Sequence, residues 1–238
     1  MTINSCIQRV FYHAIFSVIS VVVALFFSET LFGQQERTIP IDKGTIHYKT
    51  FGSGVPILII NGGPGMNSNG FVPIAEALCD GNTTIIYDQR GTGKSKLSNV
   101  NENTITLDLM VEDIETIRED IKTDTWIVLE HSFGGMLASY YTSKYPERVS
   151  ALILSSSGGT DLGLLGNVNV NSRLTKMQQD SLQYWNQQIA QGETSYYARL
   201  QRGMNLAPAY LYDKSYTQTV AKRLTEGNST INGLVSQN

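Results

Sequence analysis

The stretch IVLEHSFGGMLASYY, residues 127 to 141, runs from an apolar segment through a serine and two glycines into a helix-forming sequence. A serine at a sharp turn from a buried strand into a helix has its hydroxyl pushed outward, and the next amide, from Phe133, faces the space in front of it. A nucleophilic serine needs that geometry: an exposed oxygen to attack a carbonyl, and an N–H to hold the negative charge that forms. The pattern expected around it is G-x-S-x-G. Ser132 has Gly134 two residues after it but Glu130 two residues before it, so the match carries one defect. A serine at such a turn also serves simply as a helix cap, and this stretch alone leaves both roles open.

A second turn adds to the chemistry. IINGGPGMNSNGF, residues 59 to 71, places two glycines and a proline directly after an apolar run. Backbone there can pass close to the serine and offer another N–H to a substrate oxygen, and Gly63 is the expected second donor beside Phe133. YDQRGTGKS, residues 87 to 95, invites comparison with a phosphate-binding loop. That loop requires G-x-x-x-x-G-K-[ST], and the position of the first glycine is Asp88, so the nucleotide reading fails. Asp88 and Arg90 are read as structural ties between this loop and its neighbours. Neither a metal site nor an organic cofactor is expected.

Elements that could position these turns are visible as alternating patterns. RTIPIDKGTIHYKTFG, residues 37 to 52, shows two short alternating runs about Lys43-Gly44 and predicts an antiparallel hairpin. VPILIIN (55–61), NTTIIYD (82–88), TWIVLE (125–130) and VSALILSSS (149–157) are continuous apolar runs of the kind that strands buried on both faces require. Helical spacing between them, clearest in Leu107, Met110, Val111, Ile114, Ile117 and Ile121, predicts crossovers and hence a mostly parallel α/β sheet of about six strands. After residue 157 the pattern turns to polar helices, including KMQQDSLQYWNQQIAQ and SYTQTVAKRLTEG, which predict a helical cap over 158–238. The core is expected over 34–157.

Composition bounds the rest. With 238 residues, 41% of them hydrophobic and 16% charged, one globular domain is expected. A net charge of −3 without a basic run gives no footprint for nucleic acid, and none is expected as a partner. Residues 1–33 read as an address: Arg9, then an uncharged apolar run from Val10 to Ser28, then a polar stretch with a cut site before Gln34. Export to the periplasm or medium follows, with an uncleaved membrane anchor as the rival, because the run approaches the roughly 18 to 20 residues that span a bilayer. Cys6 falls in this leader, which leaves Cys79 without an internal disulfide partner and reads as a buried, inert thiol.

Taken in order and spacing, NGGPG, YDQRGTGKS, EHSFGG and YPERVSALILSS resemble the α/β-hydrolase superfamily, and most closely its proline iminopeptidase group of aminopeptidases. The resemblance implies that Ser132 is the nucleophile, that Gly63 and Phe133 supply the oxyanion hole, and that acidic residues of the cap recognise a free amino terminus, with Glu193 and Glu226 as candidates. It implies a small peptide substrate, with an ester as the alternative on the same scaffold. Asn61 departs from the group's H-G-G-P-G. Glu130 is expected to crowd the elbow against Gly134 and to disfavour negative charge there. The group's acid and histidine base follow the serine in sequence, whereas the histidines here are His13, His47 and His131. His131 adjoins the serine and reads as structural. The acid and base are therefore expected beyond Asn238, with sheet and cap incomplete in this chain and activity weak or absent, and a non-catalytic binding remnant is the competing reading.

Overall fold

The structure, a computed structural model, describes residues 33–158 and 169–236. The expected leader, with Cys6 and His13, lies outside the described residues except for Gly33. The chain opens with the expected hairpin, β1 (Gln35–Ile41) and β2 (Gly44–Gly52), turning at Lys43 in the left-handed region (φ 61°). β3 (Val55–Ile60), α1 (Val72–Ala77), β4 (Asn82–Tyr87), the two-residue β5 (Lys96–Leu97), α2 (Leu107–Asp120), β6 (Trp126–His131), α3 (Phe133–Lys144) and β7 (Val149–Ser155) follow. The path β1-β2-β4-β3-β6-β7 forms a seven-stranded sheet with β5 paired to β2. β3, β4, β6 and β7 pair in parallel, as βαβ crossovers require.

Alternation along β3 shows why its run is wholly apolar. Leu58 and Ile60 face a core shared with Ile114, Ile117, Leu137 and Tyr141 of α2 and α3. Ile57 and Ile59 face the opposite side, with Phe51, Ile86 and Ala75 of α1. β7 corrects the expectation of burial on both faces: Ile153 and Leu154 are 45% and 56% exposed. Its physical reason is position, because β7 ends the sheet and among the described residues pairs only with β6.

Beyond residue 169 the described residues form helices without strands: α4 (Lys176–Ala190), α5 (Tyr196–Leu206), α6 (Thr217–Leu224) and α7 (Ser229–Val235). A capping box at Thr175 and Gln178 starts α4, and Ser195 caps α5. The last helix does not belong to a separate layer. Ile231 is fully buried in the core beneath Ile105, with Leu234 and Val235 against it. No helix among the described residues is long and apolar enough to cross a membrane.

Candidate active site

Ser132 stands between the end of β6 and the first turn of α3 with φ 56° and ψ −120°. A non-glycine residue rarely holds such a backbone, and it persists only where its surroundings over-determine it. Three hydrogen bonds do so: the Ser132 amide donates to the Ser156 carbonyl (3.2 Å), and its carbonyl accepts from the Gly135 (3.0 Å) and Gly158 (2.7 Å) amides. Two glycines permit the close packing around it. A Cβ on Gly134 would overlap the Ile60 carbonyl, and one on Gly62 would lie 2.6 Å from the Ser132 Cβ. The backbone after β3 therefore presses directly on the serine, although Gly62 rather than Gly63 makes the contact.

Glu130 is fully buried, and the expectation that it crowds Gly134 is corrected. Its carboxyl lies over Gly135, where a Cβ would come 2.8 Å from Oε2 and would overlap the Ser157 hydroxyl. Oε1 accepts from the Ser155 amide at 2.9 Å, and the Ser157 hydroxyl lies beside the carboxyl. Burial pushes the carboxyl above its usual range, and the neighbouring Ser155 amide and Ser157 side chain pull the other way.

In the loop after β3, the Asn61 carboxamide donates to the carbonyls of Gly62 (3.2 Å) and Met66 (3.1 Å), and Gly63 takes φ 70°. Among the described residues no acceptor engages the Gly63 or Phe133 amide. Asp88 anchors the next turn of the loop: Oδ1 accepts from the Ser68 amide and hydroxyl (both 2.8 Å), and Oδ2 from the Lys94 amide (2.8 Å). Arg90 is buried and holds Asp113 through Nε (2.8 Å) and Nη2 (2.6 Å) while donating to the Thr104 and Leu109 carbonyls. Both residues are structural ties, as expected from the sequence.

A clamp that the sequence did not announce closes over this loop. Arg223 donates to the Asn67 carbonyl and side chain, Asn67 donates to Glu226 (2.8 Å), and Arg223 pairs with Glu226 (2.6 Å). The Asn228 amide donates to the Gly65 carbonyl (2.9 Å), and the Asn232 side chain to the Pro64 carbonyl (3.0 Å). Glu226 takes the bonds from Asn67 and Arg223 both on Oε2. Glu193 is exposed and accepts from the Ser195 amide at the start of α5. The structure brings Ser132, Phe133 and the loop of Gly63 together, with Glu226 bonded to Asn67 of that loop and Glu193 at the start of α5. Only the helical pattern over 217–227 hinted at Arg223, because side-chain bonds to loop carbonyls leave no periodic signal.

Neither described histidine is bonded to Ser132. His131 leans on the Phe71 ring at 5.7 Å, and burial lowers its basicity. His47 is buried on β2 between Glu36 (Nε2 to Oε2 3.1 Å) and Asp88 (Nδ1 to Oδ2 3.6 Å). Among the described residues no group of three or more histidine, cysteine or acidic side chains could hold a metal ion.

Comparison with known proteins sets this geometry in context. The family model described as alpha/beta hydrolase fold matches residues 55–237. Proline iminopeptidase from Lactobacillus helveticus is 38% identical over 104 residues, covering 43% of this chain and 35% of that protein. Proline iminopeptidase from Arabidopsis thaliana is 35% identical over 117 residues, covering 48% and 30%. The match thus spans less than half the length of these relatives. Among solved structures, proline iminopeptidase from Mycobacterium smegmatis superimposes with TM-score 0.60 at 21% identity over 83% of this chain and 69% of the other. A mutant epoxide hydrolase from Bacillus megaterium gives 0.58 at 17% identity over 84% and 71%. At these identities the two structures share the fold.

Proposed function

The chain belongs to the alpha/beta hydrolase fold family, and from that premise we propose that it carries the nucleophilic half of a serine hydrolase that removes N-terminal residues from peptides. The strained backbone of Ser132, on a turn packed against the loop of Gly62 and Gly63, is the observation that carries this reading. Ser132 Oγ attacks the scissile carbonyl carbon, and the carbonyl oxygen becomes an oxyanion held by the Gly63 and Phe133 N–H groups. Collapse of that intermediate expels the amine and leaves an acyl-serine for water to cleave. Peptide substrates and the aminopeptidase activity rest on likeness to the proline iminopeptidases. Helices α4 to α6 form the cap in this reading, and the leader layout of residues 9–28 supports export.

The proton taken from Ser132 needs a base, and neither His47 nor His131 reaches it. The 238-residue chain should therefore turn over proline-naphthylamide and nitrophenyl esters feebly, at most about a thousandfold above the uncatalysed rate, as oxyanion stabilisation alone allows. That residual comes from the oxyanion hole and binding, so it should survive Ser132→Ala, and the serine is tested by acylation instead: prolonged incubation with a nitrophenyl ester should leave an acyl group on Ser132. Acyl groups on other residues and none on Ser132 would contradict the assignment of Ser132.

A further inference from the structure

We propose that Glu130 is a positioning residue for Ser132, acting through the strap of residues 155–158. This inference rests on the reading of Ser132 as nucleophile and adds to it the device that holds the serine in its strained conformation.

Two of the three bonds that fix the Ser132 backbone come from that strap: the Ser156 carbonyl receives the Ser132 amide, and the Gly158 amide donates to the Ser132 carbonyl. The strap is poorly held by its own strand. β7 lies at the sheet edge, pairs only with β6 among the described residues, and gives way to Ser156 at φ 51°, itself in the left-handed region. Something must keep it in register with β6. Glu130 pairs with Leu154 across the β6–β7 ladder, and its carboxyl reaches past that pair to accept from the Ser155 amide, with the Ser157 hydroxyl beside the same carboxyl over Gly135. The strap is thus pinned at 155, immediately before the residue that receives the Ser132 amide. Gly135 leaves the room for the carboxyl. A glycine at 130 would leave the strap tied to the elbow by its backbone bonds alone.

The test uses the full chain with Glu130→Gln, which retains an acceptor for Ser155 and a polar partner for Ser157, and Glu130→Leu, which retains neither. Amide hydrogen exchange would be read at Ser132 and Gly158, with Leu58 and Ile85 in the central strands as controls. Glu130→Leu should exchange about tenfold faster at Ser132 and Gly158, the equivalent of one lost hydrogen bond, with the controls unchanged and Glu130→Gln near the parent. Parent-like exchange in Glu130→Leu, or equal acceleration in both variants, would overturn the proposal. Should Glu130→Leu fail to fold, the smaller Glu130→Ala removes the acceptor for the Ser155 amide without added bulk. It should speed exchange at Gly158, and no change there would overturn the proposal. Covalent labelling of Ser132 by a phosphonofluoridate, read in parallel, bears on the nucleophile assignment. Exchange that follows the predicted order without any labelling would retain the strap and dismiss the nucleophile.

Discussion

At the residue scale, Ser132 holds its left-handed backbone through three hydrogen bonds, with the Glu130 carboxyl close by over Gly135. Glu130 was misplaced because counting two residues each way from the serine points at Gly134, whereas Gly134 is taken up by the Ile60 carbonyl and Gly135 receives the carboxyl. Arg90 shows what partnership is worth. Its guanidinium satisfies a buried carboxyl and two carbonyls at once, and Asp113 alone would be an uncompensated buried charge. Burial already pushes Asp113 up to about 6, with Arg90 pulling it down. Arg90→Met should therefore destabilise the protein at pH 7 by about 3 to 5 kcal/mol. Urea unfolding measures this, and a loss below about 1 kcal/mol would show that the pair contributes little.

At the element scale, the strands and their order came through the apolar runs, and the hairpin through alternation about Lys43. What the runs could not show is which strand lies at an edge, since β7 is as apolar in sequence as β3 while Ile153 and Leu154 stand exposed. The polar pattern after residue 157 likewise gave helices but not their docking: Ile231, with Leu234 and Val235, draws α7 into the core and brings Asn228 and Asn232 onto the loop after β3. Arg223 completes that contact. Arg223→Ala should loosen the loop rather than unfold the domain, because the sheet does not depend on it. The loss of charged hydrogen bonds to Asn67 corresponds to about 1 to 3 kcal/mol of local stability. Limited proteolysis within residues 63–70 should accelerate while the melting temperature falls by only a few degrees. A large drop in melting temperature with no change in cleavage would place the role of Arg223 elsewhere.

For the whole molecule, the electrostatic frame of the first hairpin sets a pH dependence. Glu36 is held down to about 2 by hydrogen bonds from Lys94 and then His47, against some desolvation. Its pKa in the unfolded chain is the ordinary 4.5, so the unfolded state binds the proton first as pH falls. The stabilisation is thus fully present above about pH 4.5 and is lost progressively toward pH 2. Glu36→Gln should destabilise modestly at pH 7, by no more than about 1 kcal/mol for an exposed network. Thermal scans of parent and variant should converge near pH 2. A difference that stayed constant from pH 7 to 2 would show that charge is not its origin.

The central claim is that the strained turn makes Ser132 a nucleophile, with the Gly63 and Phe133 amides as its oxyanion donors. Prolonged exposure of the 238-residue chain to a phosphonofluoridate, followed by peptide mapping by mass spectrometry, tests it most directly. The account predicts one slowly formed adduct on Ser132, absent from Ser132→Ala and from urea-unfolded protein, because the amides of Gly63 and Phe133 hold the reagent's oxygen only in the folded elbow. Adducts spread over other serines, or no adduct on Ser132 at any pH from 6 to about 10, where uncatalysed attack by a hydroxyl becomes easier, would contradict it.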